Sequence, residues 1–164
     1  MPHASQRLHI SGIEIVPMVA QTVAAEEPIF RSSQIIENYS FPALMLQNLR
    51  SYCRPSRRSW QRFVAIRLRP GQLEGMEPVL MPGALLVLDR HYTSLRSYDP
   101  RQPSLYATRC RQKVLIRFLS YENGLLILRP WQLKYPIITI EIHNEVSPSD
   151  YILGRVVLVV NPIE

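Results

Sequence analysis

Gly75-Met76-Glu77-Pro78-Val79-Leu80-Met81-Pro82-Gly83-Ala84-Leu85-Leu86-Val87-Leu88-Asp89 is the most informative stretch of this chain. A turn around Pro78 leads to a second turn signal, Pro82-Gly83, and then to the apolar run Leu85–Leu88, which reads as a short buried strand. Met76 and the Leu85–Leu88 run are core candidates. Gly75 suits a turn position that requires positive φ, because it carries no Cβ.

Working outward, strand signals dominate. Phe63–Arg69 mixes apolar residues with Arg67 and Arg69. Val114–Leu119 and Leu125–Leu128 flank Tyr121-Glu122-Asn123-Gly124, and the Asn-Gly pair predicts a hairpin. Ile137–Ile142 alternates, and Ile152–Val160 is a β-branched run. Toward the N-terminus, Ile13–Val19 reads as extended, residues 24–40 as an exposed connection and residues 1–12 as a tail or linker. One helix is predicted, from Pro42 to Tyr52, with Met45, Leu46, Leu49 and Tyr52 on one stripe. Fourteen prolines between short strands point to a mainly β domain.

The length, 164 residues, suits one domain. No apolar stretch approaches the ~20 residues of a membrane span, and the N-terminus lacks a signal-peptide pattern. A cytoplasmic protein is therefore expected, with Cys53 and Cys110 as separate reduced thiols and no metal or cofactor. The net charge of +6 is uneven: −2 over residues 1–49, +10 over 50–117 and −2 over 118–164. The positive middle contains an arginine cluster with no acid between Arg50 and Arg69, interleaved with Tyr52, Trp60 and Phe63. Arg54, Arg57, Arg58 and Arg62 are the candidate anion or nucleic-acid contacts in it. Two other readings stand beside that one: a solvated loop anchored by its aromatics, or a surface for an acidic protein. His91 reads as a surface histidine after a strand.

Gly75–Asp89 also resembles the Ser-Met-Glu-Pro turn and following strand of the LexA/UmuD/phage-repressor family of serine–lysine self-cleaving peptidases. Lys113–Leu119 resembles the strand that carries the family's catalytic lysine. Lys134–Ile140 resembles its Tyr/Phe-Pro strand, and Tyr151–Val157 its terminal Ile-x-Gly-x-Val strand. Val16–Ile29 resembles the self-cleavage region, with Ala25-Glu26 at the scissile pair. The resemblance runs in order from residue 13 to 162. It implies a LexA-type peptidase-like fold of short twisted strands with one short helix, spanning residues 13–164, with 13–40 as the cleavage-region equivalent and 41–164 as the core.

The departures from the family pattern bear on activity. The nucleophile position is Gly75 and the lysine position is Arg117. Glycine has nothing to attack with, and arginine stays protonated where the dyad needs a neutral amine. No serine lies between Trp60 and Ser94 to stand in for the first. A paired buried Arg117, with Glu74 or Glu77, and an outward-turned Arg117 are both open. The resemblance thus implies a pseudo-peptidase that dimerises and regulates transcription in a bacterium or phage, as in the SOS response. Ile152, Val156, Val157 and Val159 of the terminal strand are the implied dimer contacts. Too few residues precede the domain for a helix-turn-helix, so a DNA-binding part is expected on another chain or in a longer parent. Alternatives are a UmuD-like accessory protein bound to another protein, and a still-active self-cleaving peptidase.

Overall fold

A computed structural model describes residues 12–48, 57–91, 93, 95, 99–101, 103–143 and 145–163. The fold is mainly β. The strands are β1 (Ile13–Val19), β2 (Ile35–Pro42), β3 (Phe63–Arg67), β4 (Leu85–Asp89), β5 (Leu105–Cys110), β6 (Lys113–Glu122), β7 (Leu125–Arg129), β8 (Ile138–Glu141) and β9 (Ile152–Val160). They form one sheet in the order β2-β1-β3-β4-β9-β5-β6-β7-β8. Every pairing is antiparallel except a single parallel step, Met18 against Ala65.

Local chemistry explains most of these elements. Asn123 (φ 50°) and Gly124 (φ 77°) both adopt the left-handed conformation that a two-residue hairpin turn requires, which joins β6 to β7 as expected. All five residues of β4 are buried. They alternate between two faces: Leu86 and Leu88 pack with Val64, Ile66, Met76 and Leu80, whereas Leu85 and Val87 pack with Phe63, Ala65 and Val16. A strand covered on both sides has no polar face, hence its unbroken apolar run. Beyond β9, a third cluster (Tyr106, Leu119, Leu126, Leu128 and Ile152 among others) covers the β5–β8 end.

Two expectations need correction, and one strand was not expected. The helix predicted from Pro42 to Tyr52 begins one residue later, as α2 (Ala43–Asn48), with Pro42 still in β2; Leu46 is fully buried, while Met45 is exposed. Leu49 and Tyr52 lie outside the described residues. Second, the expected exposed connection at 24–40 holds a second helix, α1 (Gln21–Glu26), and the eight-residue β2. Ala24, Ala25 and Phe30 within it are core residues. Third, β5 carried no apolar run long enough to read as a strand, yet Tyr106, Ala107 and Thr108 are buried between β6 and β9.

Gly154 shows why the terminal strand needs a glycine. A Cβ there would lie 2.8 Å from the Asp89 carbonyl oxygen, where the backbone leaving β4 passes against β9. Any larger residue would force the two strands apart.

Candidate functional site

The bend before β4 is held from several sides. Met76 donates its N–H to Leu73 O and Leu80 its own to Met76 O, which winds residues 73–80 into tight turns. Asn161, just past β9, accepts from Met81 N at 2.9 Å and donates to Val79 O at 3.2 Å. Gly75 is buried at φ +78°, and its carbonyl accepts from Gln132 N at 2.8 Å. Gln132 Nε2 also donates to Glu77 O at 2.9 Å. The loop after β7 thus closes directly over Gly75. A Cβ at this position would meet Pro130 Cβ at 3.0 Å and Tyr135 Cγ at 3.0 Å. The position lacks both the space for a side chain and a backbone conformation that favours one.

Arg117 lies in β6, and the charge of Glu74, the residue before Gly75, acts on it. Arg117 pairs with Tyr106 of β5. Arg117 is 7% exposed, which excludes the outward-turned alternative. Its Nη1 donates to the carbonyl of Ile116, the preceding residue, at 2.8 Å. Burial pushes its pKa down, and the charge of Glu74, more than that of Cys110, opposes this. Glu74 thus influences Arg117 through its charge, and the hydrogen bond goes to backbone. Lys113 lines two clefts, and neither has a serine in its wall. Lys134 is exposed, 5.6 Å from the Tyr135 ring centre.

The segment matched to the scissile region is folded and anchored. Ala25-Glu26 lies in α1; Ala25 is buried and Glu26 exposed. Two arginines donate to carbonyls of this short helix and of the residues just after it. Arg90 is fully buried. Its Nη1 donates to Ala24 O at 3.1 Å and to Glu27 O at 2.6 Å, its Nη2 to Pro28 O at 2.9 Å and its Nε to Gln61 O at 2.9 Å. The Phe30 and Trp60 rings flank the guanidinium at 4.5 and 4.9 Å. Arg109 Nη2 donates to Ala25 O, the carbonyl of the matched scissile bond, at 2.5 Å. Cations at a helix C-terminus also oppose its partial negative charge. Desolvation, and secondarily the charge of Arg57, brings the Arg90 pKa down to about 10.

Among the described residues, three arginines of the cluster make internal contacts. Arg62 makes a two-pronged ion pair with the fully buried Asp89, Nη2 to Oδ2 at 2.8 Å, and lies over the Phe63 ring. Arg57 stacks on Trp60 at 4.7 Å and reaches Leu153 O at 3.4 Å. Its pKa is lowered by burial and then by Arg109, against the pull of Asp150. Arg67 donates to Gly83 O and to Tyr39 Oη. Arg58 is exposed, and Arg54 lies outside the described residues. Of the four expected anion contacts, Arg57 and Arg62 are therefore occupied within the fold. His91 is half-buried rather than a surface residue, with Nε2 2.7 Å from Trp60 O.

The terminal strand divides in two. Ile152 is 1% exposed inside the third core cluster, so it is corrected from interface to interior. β9 is not an edge strand: β4 pairs along it from Arg155 to Val160, and β5 from Ile152 to Arg155. Among the described residues the β5 register ends at Arg155. Val156, Val157 and Val159 are half-buried there and line a hollow of about 360 Å³ with Leu105, Phe118 and Trp131.

Arg90 is the residue that sequence reasoning missed. It follows the quoted stretch directly, but nothing in its neighbours marks an arginine that reaches back some 60 residues to the α1 segment. Among the described residues, no group of three or more His, Cys, Asp or Glu is placed to hold a metal, and no helix is long and apolar enough to cross a membrane. The chain matches no protein-family model and no curated protein.

Proposed function

We propose that this chain is a non-catalytic, LexA-like pseudo-peptidase domain that acts as a dimerisation and regulatory module of a cytoplasmic bacterial or phage transcriptional regulator. The observation that carries this reading is the closed bend at Gly75. The position matched to the nucleophile is buried, left-handed and packed against Pro130 and Tyr135, and the position matched to the lysine is an arginine. An acyl-transfer site requires a hydroxyl, a base able to take its proton and an accessible carbonyl. Here the first two are replaced, and the matched carbonyl, Ala25 O, sits at a helix end bonded to Arg109.

The dimer surface is the second half of β9. Val156, Val157 and Val159 flank the side of the strand that β5 leaves unpaired, and a second copy could add its own β9 there in antiparallel register. Light scattering should give about twice the 19.0 kDa of the chain. Val157→Arg should convert the dimer to monomers. A wild-type monomer at high concentration defeats the dimer reading, and a new fragment ending at Ala25 after alkaline incubation, seen by mass spectrometry, defeats the non-catalytic one.

A further inference from the structure

A cleft of about 790 Å³ opens between the β5–β6 hairpin and β8, remote in sequence from the Gly75 bend. That size falls within the ~300–1,000 Å³ of small-molecule sites. Its floor is apolar: Leu115, Ile138, Ile140 and Tyr151 line it and pack partly buried against the third core cluster. Its mouth is cationic. Arg109, Arg111 and Lys113 all line it, against one carboxylate, Glu141.

The three cations are placed by structure rather than merely crowded by sequence. Arg109 is fixed by its bond to Ala25 O. Arg111 (φ 48°) and Gln112 (φ 66°) form a tight hairpin turn from two successive left-handed residues that are not glycine, and Cys110 pairs with Lys113 across it. Non-glycine residues hold this conformation at some cost, and such strain concentrates at ligand-contacting turns. The turn keeps Arg111 and Lys113 beside the same opening as Arg109. Three cations set around an apolar hollow repel one another, and an anion seated among them relieves that repulsion.

We propose that this cleft binds a small amphiphilic anion, with an apolar body over Leu115, Ile138 and Ile140 and a carboxylate or similar head among Arg109, Arg111 and Lys113. The site is independent of the pseudo-peptidase reading. Isothermal titration calorimetry tests it, using dodecanoate well below its micelle concentration and methyl dodecanoate as the uncharged counterpart. Dodecanoate should bind, and the ester should bind at least roughly tenfold more weakly. The double variant Arg111→Glu with Lys113→Glu should weaken dodecanoate binding by about tenfold or more, while Arg58→Glu, outside the cleft, leaves it unchanged. Both variants sit on exposed residues, and a thermal melt matching the wild type verifies their fold. Absence of dodecanoate binding up to about 1 mM, equal binding of the ester, or equal weakening by Arg58→Glu overturns the proposal. So does co-sedimentation with anionic phospholipid vesicles without uptake of monomeric dodecanoate, which would assign these cations to a lipid surface.

Discussion

Arg90 and Arg117 are both buried, both desolvated and both lowered in pKa, yet they do different work in the molecule. Arg90 spends its guanidinium on four backbone carbonyls from two separate segments and lies between two aromatic rings. Arg117 donates to the carbonyl of the residue before it and depends on Glu74 for charge compensation. A buried cation is favourable in proportion to how completely its donors are used, because the desolvation cost is paid in full either way. Arg90 therefore ties distant segments together, whereas the bond of Arg117 links it to its own strand.

The largest effect expected from breaking this contrast is at Arg90. Arg90→Met should lower unfolding free energy by about 3–5 kcal/mol in urea melts, since it removes four hydrogen bonds to carbonyls inside the fold. It should also speed amide exchange across residues 24–28; unchanged exchange there would show that Arg90 does not hold this segment. Next comes Gly75→Ser, which meets Pro130 and Tyr135 and forces a side chain into a left-handed position; a loss of about 2–3 kcal/mol is expected. Combined with Arg117→Lys it places a serine and a lysine at the two matched positions, and mass spectrometry after alkaline incubation should still find the intact chain. A cut between Ala25 and Glu26 would mean that the helix and its arginine caps do not protect that bond.

Smaller effects separate the two arginines further. Arg109→Ala should cost about 1 kcal/mol, the scale of one hydrogen bond to a helix-end carbonyl, read from the shift in urea midpoint. Arg117→Met should fall within about 1 kcal/mol of wild type, because an apolar side chain of similar length removes a desolvated charge that has few partners. A loss near that of Arg90→Met would erase the distinction between the two.

Several parts of this fold were legible as sequence. Asn123-Gly124 marked its hairpin because few residue pairs accept two successive left-handed conformations. Ile13–Val19 and Ile152–Val160 read as strands because β-branched and apolar runs suit a pleated, covered surface. The α1 helix was not legible: its six residues are small or polar and lack an amphipathic repeat. Such a helix is marginal alone and forms where distant groups complete it. Ala24 and Ala25 pack in the core, and Arg90 and Arg109 satisfy carbonyls along it. At the candidate site, residue identity alone removed a hydroxyl from position 75 and a titratable amine from position 117.

Residue chemistry by itself thus determined the mainly β character, the main hairpin and the absence of serine and lysine side chains at the two matched positions. Only the tertiary structure decided that β9 lies between β4 and β5 in the sheet, that Arg62 and Arg57 serve the fold, and that Arg90 fastens the α1 segment. The physical reason is range. Turn chemistry and strand preference act between neighbours along the chain, whereas burial of a charge and the closing of its hydrogen bonds depend on residues brought together from far apart.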